Sequence, residues 1–290
     1  MHHSQKKYLE VLSESHPLNT FRELCDCIES NKLMRLELFL ADIPKFSEFT
    51  KKFDLDFAIS DKSFQVFADE GLENWSSSIA YCSDAEKTAM RFVYVHKSKA
   101  VCETAKKFDA SDNDVNIGLC LSYPKCCIEA YRDWQITNEE IDPISIIVDS
   151  FPFLGQVNTY DFPNPFSRYF SAGLFSHFPC SLACLETTKI AKQSLQNLQF
   201  HFPSVAEKIL KMENSLVIFQ KGRGICLWQK FDLNDNSINL DKDSFQGQGQ
   251  LKLIFENVDK FEIFGKLLTL FPESLGVFKA NSCFVGIFKL

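Results

Sequence analysis

The chain of 290 residues lacks several features that would narrow its role at once. No apolar run reaches the roughly 18 residues of a membrane-spanning helix, so no membrane segment is expected. No glycine-rich phosphate loop, nucleophile elbow or His-Glu-x-x-His motif occurs, which sets aside dinucleotide oxidoreductases and P-loop nucleotidases. The net charge is −7, and no basic block forms the footprint that a phosphate backbone requires, so nucleic-acid binding is not indicated. Met1-His2-His3-Ser4-Gln5-Lys6-Lys7 runs into Tyr8-Leu9-Glu10 without an apolar segment, and no secretory signal is expected. No internal repeat and no low-complexity tract is visible.

What is present is an ordinary globular composition, 45% apolar and 24% charged. A chain of this length buries about 75% of the surface its unfolded form exposes, so a stable core needs neither disulfides nor a structural metal. The 29 Phe against 7 Tyr and 3 Trp read as core filling. The 11 Cys are odd in number and irregularly spaced, unlike a secreted disulfide framework. Reduced thiols and a cytoplasmic location are expected, and clustered thiols there point to metal binding or catalysis.

The pattern predicts an α+β protein: a mixed helical and sheet core carrying two Cys-bearing helix N-termini, then a β-rich C-terminal unit. Residues 1–214 form the first part and 215–290 the second, as two domains or one continuous one. Residues 4–32 read as helix interrupted near His16-Pro17. Met34–Leu40, Asp56–Ile59 and Phe64–Phe67 read as strands. Ser83-Asp84-Ala85-Glu86 has the capping-box pattern and predicts a helix to about Phe108. Thr137-Asn138-Glu139-Glu140 repeats it and predicts a helix to about Ser150. Asp114–Leu121 reads as a strand-like apolar run, residues 151–175 as a long ordered loop, and Pro203 as a helix start. Leu216–Phe219 and Ile225–Trp228 flank Gly222-Arg223-Gly224 as a hairpin. Leu251–Phe255 and Cys283–Phe288 read as strands, with an amphipathic helix over residues 258–271 between them. Gly247-Gln248-Gly249 reads as a turn.

Two segments share one local design. Tyr123-Pro124-Lys125-Cys126-Cys127 and His177-Phe178-Pro179-Cys180-Ser181-Leu182-Ala183-Cys184 each place a Pro to open a helix, with Cys in the first turn. Free N–H groups and the positive end of the helix dipole would lower the thiol pKa there. On a helix Cys180 and Cys184, at i and i+4, share a face, and His177 stands within about 60° of them. Together the segments supply Cys126, Cys127, His177, Cys180 and Cys184 as metal ligands, suited to zinc or an iron–sulfur cluster. Tyr123, Asn164 and Arg168 are the candidate substrate-binding residues, Arg168 as an anion clamp. Cys120 reads as core. Cys25, Cys27, Cys82, Cys102, Cys226 and Cys283 read as packing residues.

The Tyr-Pro-x-Cys-Cys and His-x-Pro-Cys-Ser-x-x-Cys motifs resemble an uncharacterised prokaryotic family, a domain of unknown function, over roughly residues 115–200. The matching positions are Tyr123, Pro124, Cys126, Cys127, His177, Pro179, Cys180, Ser181 and Cys184. The resemblance implies that the two segments form one site and supplies no reaction. Three readings follow: a cysteine-ligated metalloprotein, a metal-free thiol enzyme with a Cys nucleophile and His177 as base, or a binding module with packed cysteines. The first is preferred, with a small molecule or a protein as the unidentified partner.

Overall fold

The computed structural model describes residues 18–67, 78–137, 144, 147, 148, 157–234, 237–264, 267–271, 277–279 and 283–290. The first helix, α1 (Leu18–Ser30), buries Phe21, Leu24 and Cys25 at the spacing of one helical face. β1 (Met34–Phe39) follows, then α2 (Ile43–Lys52), β2 (Asp56–Ile59), β3 (Ser63–Phe67), β4 (Ser78–Cys82) and β5 (Met90–His96). The sheet order is β1-β5-β3-β4, with β2 also on β5. The helix expected from Ser83 does not form. Ser83 Oγ accepts from Ala85 N–H at 3.2 Å within a turn, and the chain enters β5 directly. Local capping chemistry loses to tertiary burial, because Val93, Tyr94 and Val95 are β-formers that pack at the centre of the sheet. The helix begins only at α3 (Lys99–Ala110). The run expected as a strand before the first motif is α4 (Asp114–Cys120), capped by the Asn113 side chain accepting from Asn116 N–H at 3.2 Å.

α5 (Lys125–Thr137) ends where the second capping box was expected to open a helix. The rest of that box lies outside the described residues; beyond it, Ile144, Ile147 and Val148 are helical and buried. The expected loop contains β6 (Asn158–Tyr160) and a 3₁₀ turn over Pro165–Phe170. α6 (Leu185–His201) and α7 (Pro203–Glu213) follow, the latter starting at the expected proline.

The C-terminal part is rich in strands: β7 (Leu216–Gln220), β8 (Gly224–Trp228), β9 (Phe231–Asn234), β10 (Ser237–Leu240) and β11 (Phe245–Gln248). Then come α8 (Gly249–Phe255), β12 (Lys260–Phe264), β13 (Leu267–Phe271), β14 (Val277–Lys279) and β15 (Cys283–Phe288). Two expectations fail here. Leu251–Phe255 is helical: Gly249 turns the chain at a φ of 68°, and Leu251 and Phe255 bury at i and i+4. Lys260–Phe264 and Leu267–Phe271 pair as antiparallel strands where a helix was expected, because Phe261, Ile263, Leu268 and Leu270 bury at every second position. Gly247 and Gln248 lie in β11, so only Gly249 belongs to the turn expected there.

One sheet, ordered β11-β8-β7-β15-β6, is covered on both faces. Val217, Phe219, Leu227 and Phe284 face the core shared with α1, β5 and the cysteine segments. Ile218, Cys226, Trp228 and Val285 face a second core made with the sheet ordered β14-β13-β12-β10-β9. β6 joins this sheet parallel to β15, so strand pairing crosses residue 214. Among the described residues no helix is long and apolar enough to cross a membrane.

Candidate metal centre

The first motif is positioned by a tight turn between α4 and α5. Ser122 adopts a φ of 59°, and Tyr123 N–H donates to the Gly118 carbonyl at 2.9 Å. Gly118 has no side chain for a reason visible in the packing: a Cβ there would stand 2.9 Å from the Ile128 side chain. This close approach sets the start of α5. The Pro124 carbonyl accepts from Cys127 N–H at 2.9 Å and Ile128 N–H at 3.0 Å, so Pro124 caps the helix one position earlier than expected. Cys126 and Cys127 lie in its first turn, as the sequence suggests.

The second motif differs from expectation. Pro179 opens no helix; Cys184 is the N-cap residue of α6, and Cys180 lies in the preceding loop. Cys180 and Cys184 therefore share no helix face. The loop is turned by Ser181, whose carbonyl accepts from Cys184 N–H at 3.3 Å and whose hydroxyl accepts from Ala183 N–H at 3.3 Å. A compact turn brings the two sulfurs together where a helix was expected to do so.

The two segments meet. The Sγ atoms of Cys126, Cys127, Cys180 and Cys184 all lie within 4.8 Å of one another. Cys127 to Cys184 is 3.6 Å, Cys126 to Cys184 3.8 Å and Cys126 to Cys127 3.9 Å. Cys127 and Cys184 are buried; Cys126 and Cys180 are exposed, so the cluster opens to solvent on one side. All eleven cysteines are free. Cys180 N–H donates to Cys127 Sγ at 3.4 Å.

The thiols differ electrostatically. Burial pushes Cys127 up, and burial together with the neighbouring thiols pushes Cys180 up to about 12. Burial also acts on Cys184, but the Thr187 hydroxyl and N–H and the adjacent thiols outweigh it, and the thiol falls to about 7. The Cys184 thiolate thus forms readily near neutral pH, while Cys127 and Cys180 hold their protons more tightly.

His177 stands one group behind the sulfurs. Its Nε2 is 2.8 Å from Thr187 Oγ1, and Thr187 Oγ1 is 3.5 Å from Cys127 Sγ. Burial and the nearby Arg168 push its pKa down to about 3, so it is a neutral hydrogen-bonding ring at physiological pH. Thr187 is the residue sequence reading passed over. Its signal was its place three residues after Cys184, where a first-turn hydroxyl can reach back toward the N-cap.

Arg168 is buried and donates to the His177 carbonyl at 2.6 Å, with its guanidinium 4.4 Å from the Phe178 ring. Phe178 in turn stacks on Tyr131 of α5 at 5.8 Å. These contacts hold the loop of the second motif against the helix of the first. Asn164 lies further away, in a buried junction: it donates to Ser215 Oγ at 2.8 Å and the Met212 carbonyl at 3.1 Å, and its own N–H donates to Glu213 at 2.6 Å. Tyr123 packs its ring 5.3 Å from His177 and lines a large cavity.

Fold and site together define an α+β protein with a four-cysteine cluster that could hold a metal ion. No family model matches the chain, and no curated protein and no solved structure matches it.

Proposed function

We propose that Cys126, Cys127, Cys180 and Cys184 hold one tetrahedral metal ion, zinc, and that this centre ties the start of α5 to the start of α6. The observation that carries the reading is the spacing of the sulfurs. Four thiolates around one zinc at about 2.3 Å stand about 3.8 Å apart, the edge of a tetrahedron of that radius. The separations among Cys126, Cys127 and Cys184, 3.6, 3.8 and 3.9 Å, match that edge, and the Cys180 sulfur lies within 4.8 Å of all three. A multi-iron cluster places thiolates on different irons and needs them farther apart. Four thiolates fill the coordination sphere, as in zinc sites that stabilise a fold, and leave no position for a substrate on the ion.

The surrounding groups suit such a centre. The Cys180 N–H faces the Cys127 sulfur at 3.4 Å and the Thr187 N–H faces the Cys184 sulfur, which disperses the charge of a tetrathiolate. Thr187 and His177 orient Cys127 from behind.

Elemental analysis of protein prepared anaerobically tests the proposal. About one zinc per chain is expected, and cobalt(II) substitution should give the visible bands of a tetrahedral tetrathiolate. Several irons with acid-labile sulfide would replace zinc by a cluster. Folded protein that neither carries nor takes up metal would end the reading.

A further inference from the structure

β1 is the edge of its sheet; among the described residues its strand partner is β5. The direction of its free edge can be worked out. Leu40 N–H, just past the strand, donates to the Ala89 carbonyl at 3.2 Å, in register with the β1–β5 ladder. Ser60 N–H on the other side of β5 donates to the Phe92 carbonyl at 2.8 Å, which fixes the same alternation independently. In an antiparallel ladder, both backbone polar groups of a residue point one way and those of the next residue point the other. Met34, Leu36 and Leu38 therefore bond toward β5. Arg35, Glu37 and Phe39 turn their N–H and C=O away from it.

Arg35, Glu37 and Phe39 line a cavity of about 1010 Å³. It runs along Leu33–Phe39 between β1 and α1, and its far wall includes Tyr123, His177 and Phe178 of the cysteine segments. The register is continuous over six residues, with no bulge, and β1 contains no proline. Among the described residues this row of alternating donors and acceptors has no strand partner, and its natural complement is another extended chain.

We propose that this cleft binds an extended peptide segment of a partner protein, added antiparallel to β1 as a sixth strand. The side chains of β1 state its pattern. Leu36 and Leu38 pack on the apolar face. Arg35 and Glu37 alternate with them; Arg35 lies over the Phe92 ring at 4.6 Å and each of the two charges feels the other, short of a direct ion pair. Cross-strand pairing then selects a cation opposite Glu37 and an anion opposite Arg35. Read in the peptide's own direction, the segment is apolar, Lys or Arg, apolar, Asp or Glu, apolar. The docking needs no metal, so it stands apart from the zinc reading.

The probe is the peptide acetyl-Thr-Leu-Lys-Val-Glu-Val-Thr-amide, read by amide hydrogen exchange on the full chain. In the free protein the amides of Arg35, Glu37 and Phe39 should exchange fast, and Leu36 and Leu38 slowly. At millimolar probe the three outward amides should slow at least tenfold, and the charge-exchanged peptide should protect them less. Glu37→Pro removes an outward N–H and no bond of the β1–β5 ladder, so it should fold and lose binding. Should that variant fail to fold, methylating the peptide nitrogens of its Lys and Glu must abolish protection instead. The Cys127→Ser/Cys184→Ser protein should still bind the probe, which separates this result from failure of the metal centre. Outward amides already protected in the free chain, absence of protection at millimolar probe, or protection indifferent to the methyl groups would overturn the proposal.

Discussion

The C-terminal sheets and the α5–α6 junction both bury cysteine, and they do it for different reasons. In the C-terminal sheets Cys226 and Cys283 lie among Ile218, Trp228 and Val285, and burial pushes both thiols up, Cys283 to about 12. Those sulfurs serve as small apolar fillers. At the α5–α6 junction the sulfurs neighbour one another, and Cys127 also meets a hydroxyl and a backbone N–H. Burial alone does not distinguish the two sets, since Cys127 is as enclosed as Cys283. Polar surroundings do, because thiols that only pack gain nothing from being set against one another.

The contrast can be broken most sharply by removing cysteines from each region in turn. Cys127→Ser with Cys184→Ser should take metal content from about one ion to near none by elemental analysis. Cys226→Ala should keep the ion and lose only about 1–2 kcal/mol in urea unfolding, for a small buried group. Equal loss of metal from both variants would erase the distinction.

A smaller effect sharpens it. Thr187→Val keeps the shape of the side chain and removes the hydroxyl between His177 and Cys127. Zinc affinity in a chelator competition should fall about 10- to 100-fold, the usual cost of losing a group that orients a ligand. The same hydroxyl would be indifferent if Cys127 only packed.

A pH-dependent effect lies at the junction of the two regions. Glu213 is fully buried; burial pushes its carboxyl up to about 8, against the Ser167 hydroxyl and the Asn164 and Leu174 N–H groups that favour the charged form. The folded pKa lies above the model-compound value of 4.5, so the folded chain holds this proton more tightly. Its contribution to stability is complete below about pH 4.5 and is lost as pH rises toward 8, by at most about 1.4 kcal/mol per pH unit. Glu213→Gln, whose amide can still accept from Asn164 N–H and donate to Ser167, should flatten that slope in unfolding curves between pH 5 and 8.

Local signals succeeded where local and tertiary demands agree. β1, β2, β3, the β7–β8 hairpin and α7 are all visible as periodicity or turn chemistry in the sequence. They failed where a short pattern has two uses. Ser83-Asp84-Ala85-Glu86 can cap a helix or close a turn, and the burial of β5 chose the turn. Val258, Phe261 and Leu268 fall on one stripe of a helix, while Phe261, Ile263, Leu268 and Leu270 alternate as in two strands, and pairing with β10 and β14 chose strands.

At the site the same division holds. The order of residues alone determined that two segments would carry four thiols with hydrogen-bonding company, because proline, serine and cysteine at those spacings bias the chain toward turns and helix starts. It could not determine how Cys180 and Cys184 come together, nor that Thr187 stands between His177 and Cys127. Those were decided by the docking of α5 on α4 through Gly118 and of the second loop on α5 through Arg168 and Phe178. Distances of a few ångströms between residues fifty positions apart depend on how whole elements pack, and no local stretch of chain contains that information.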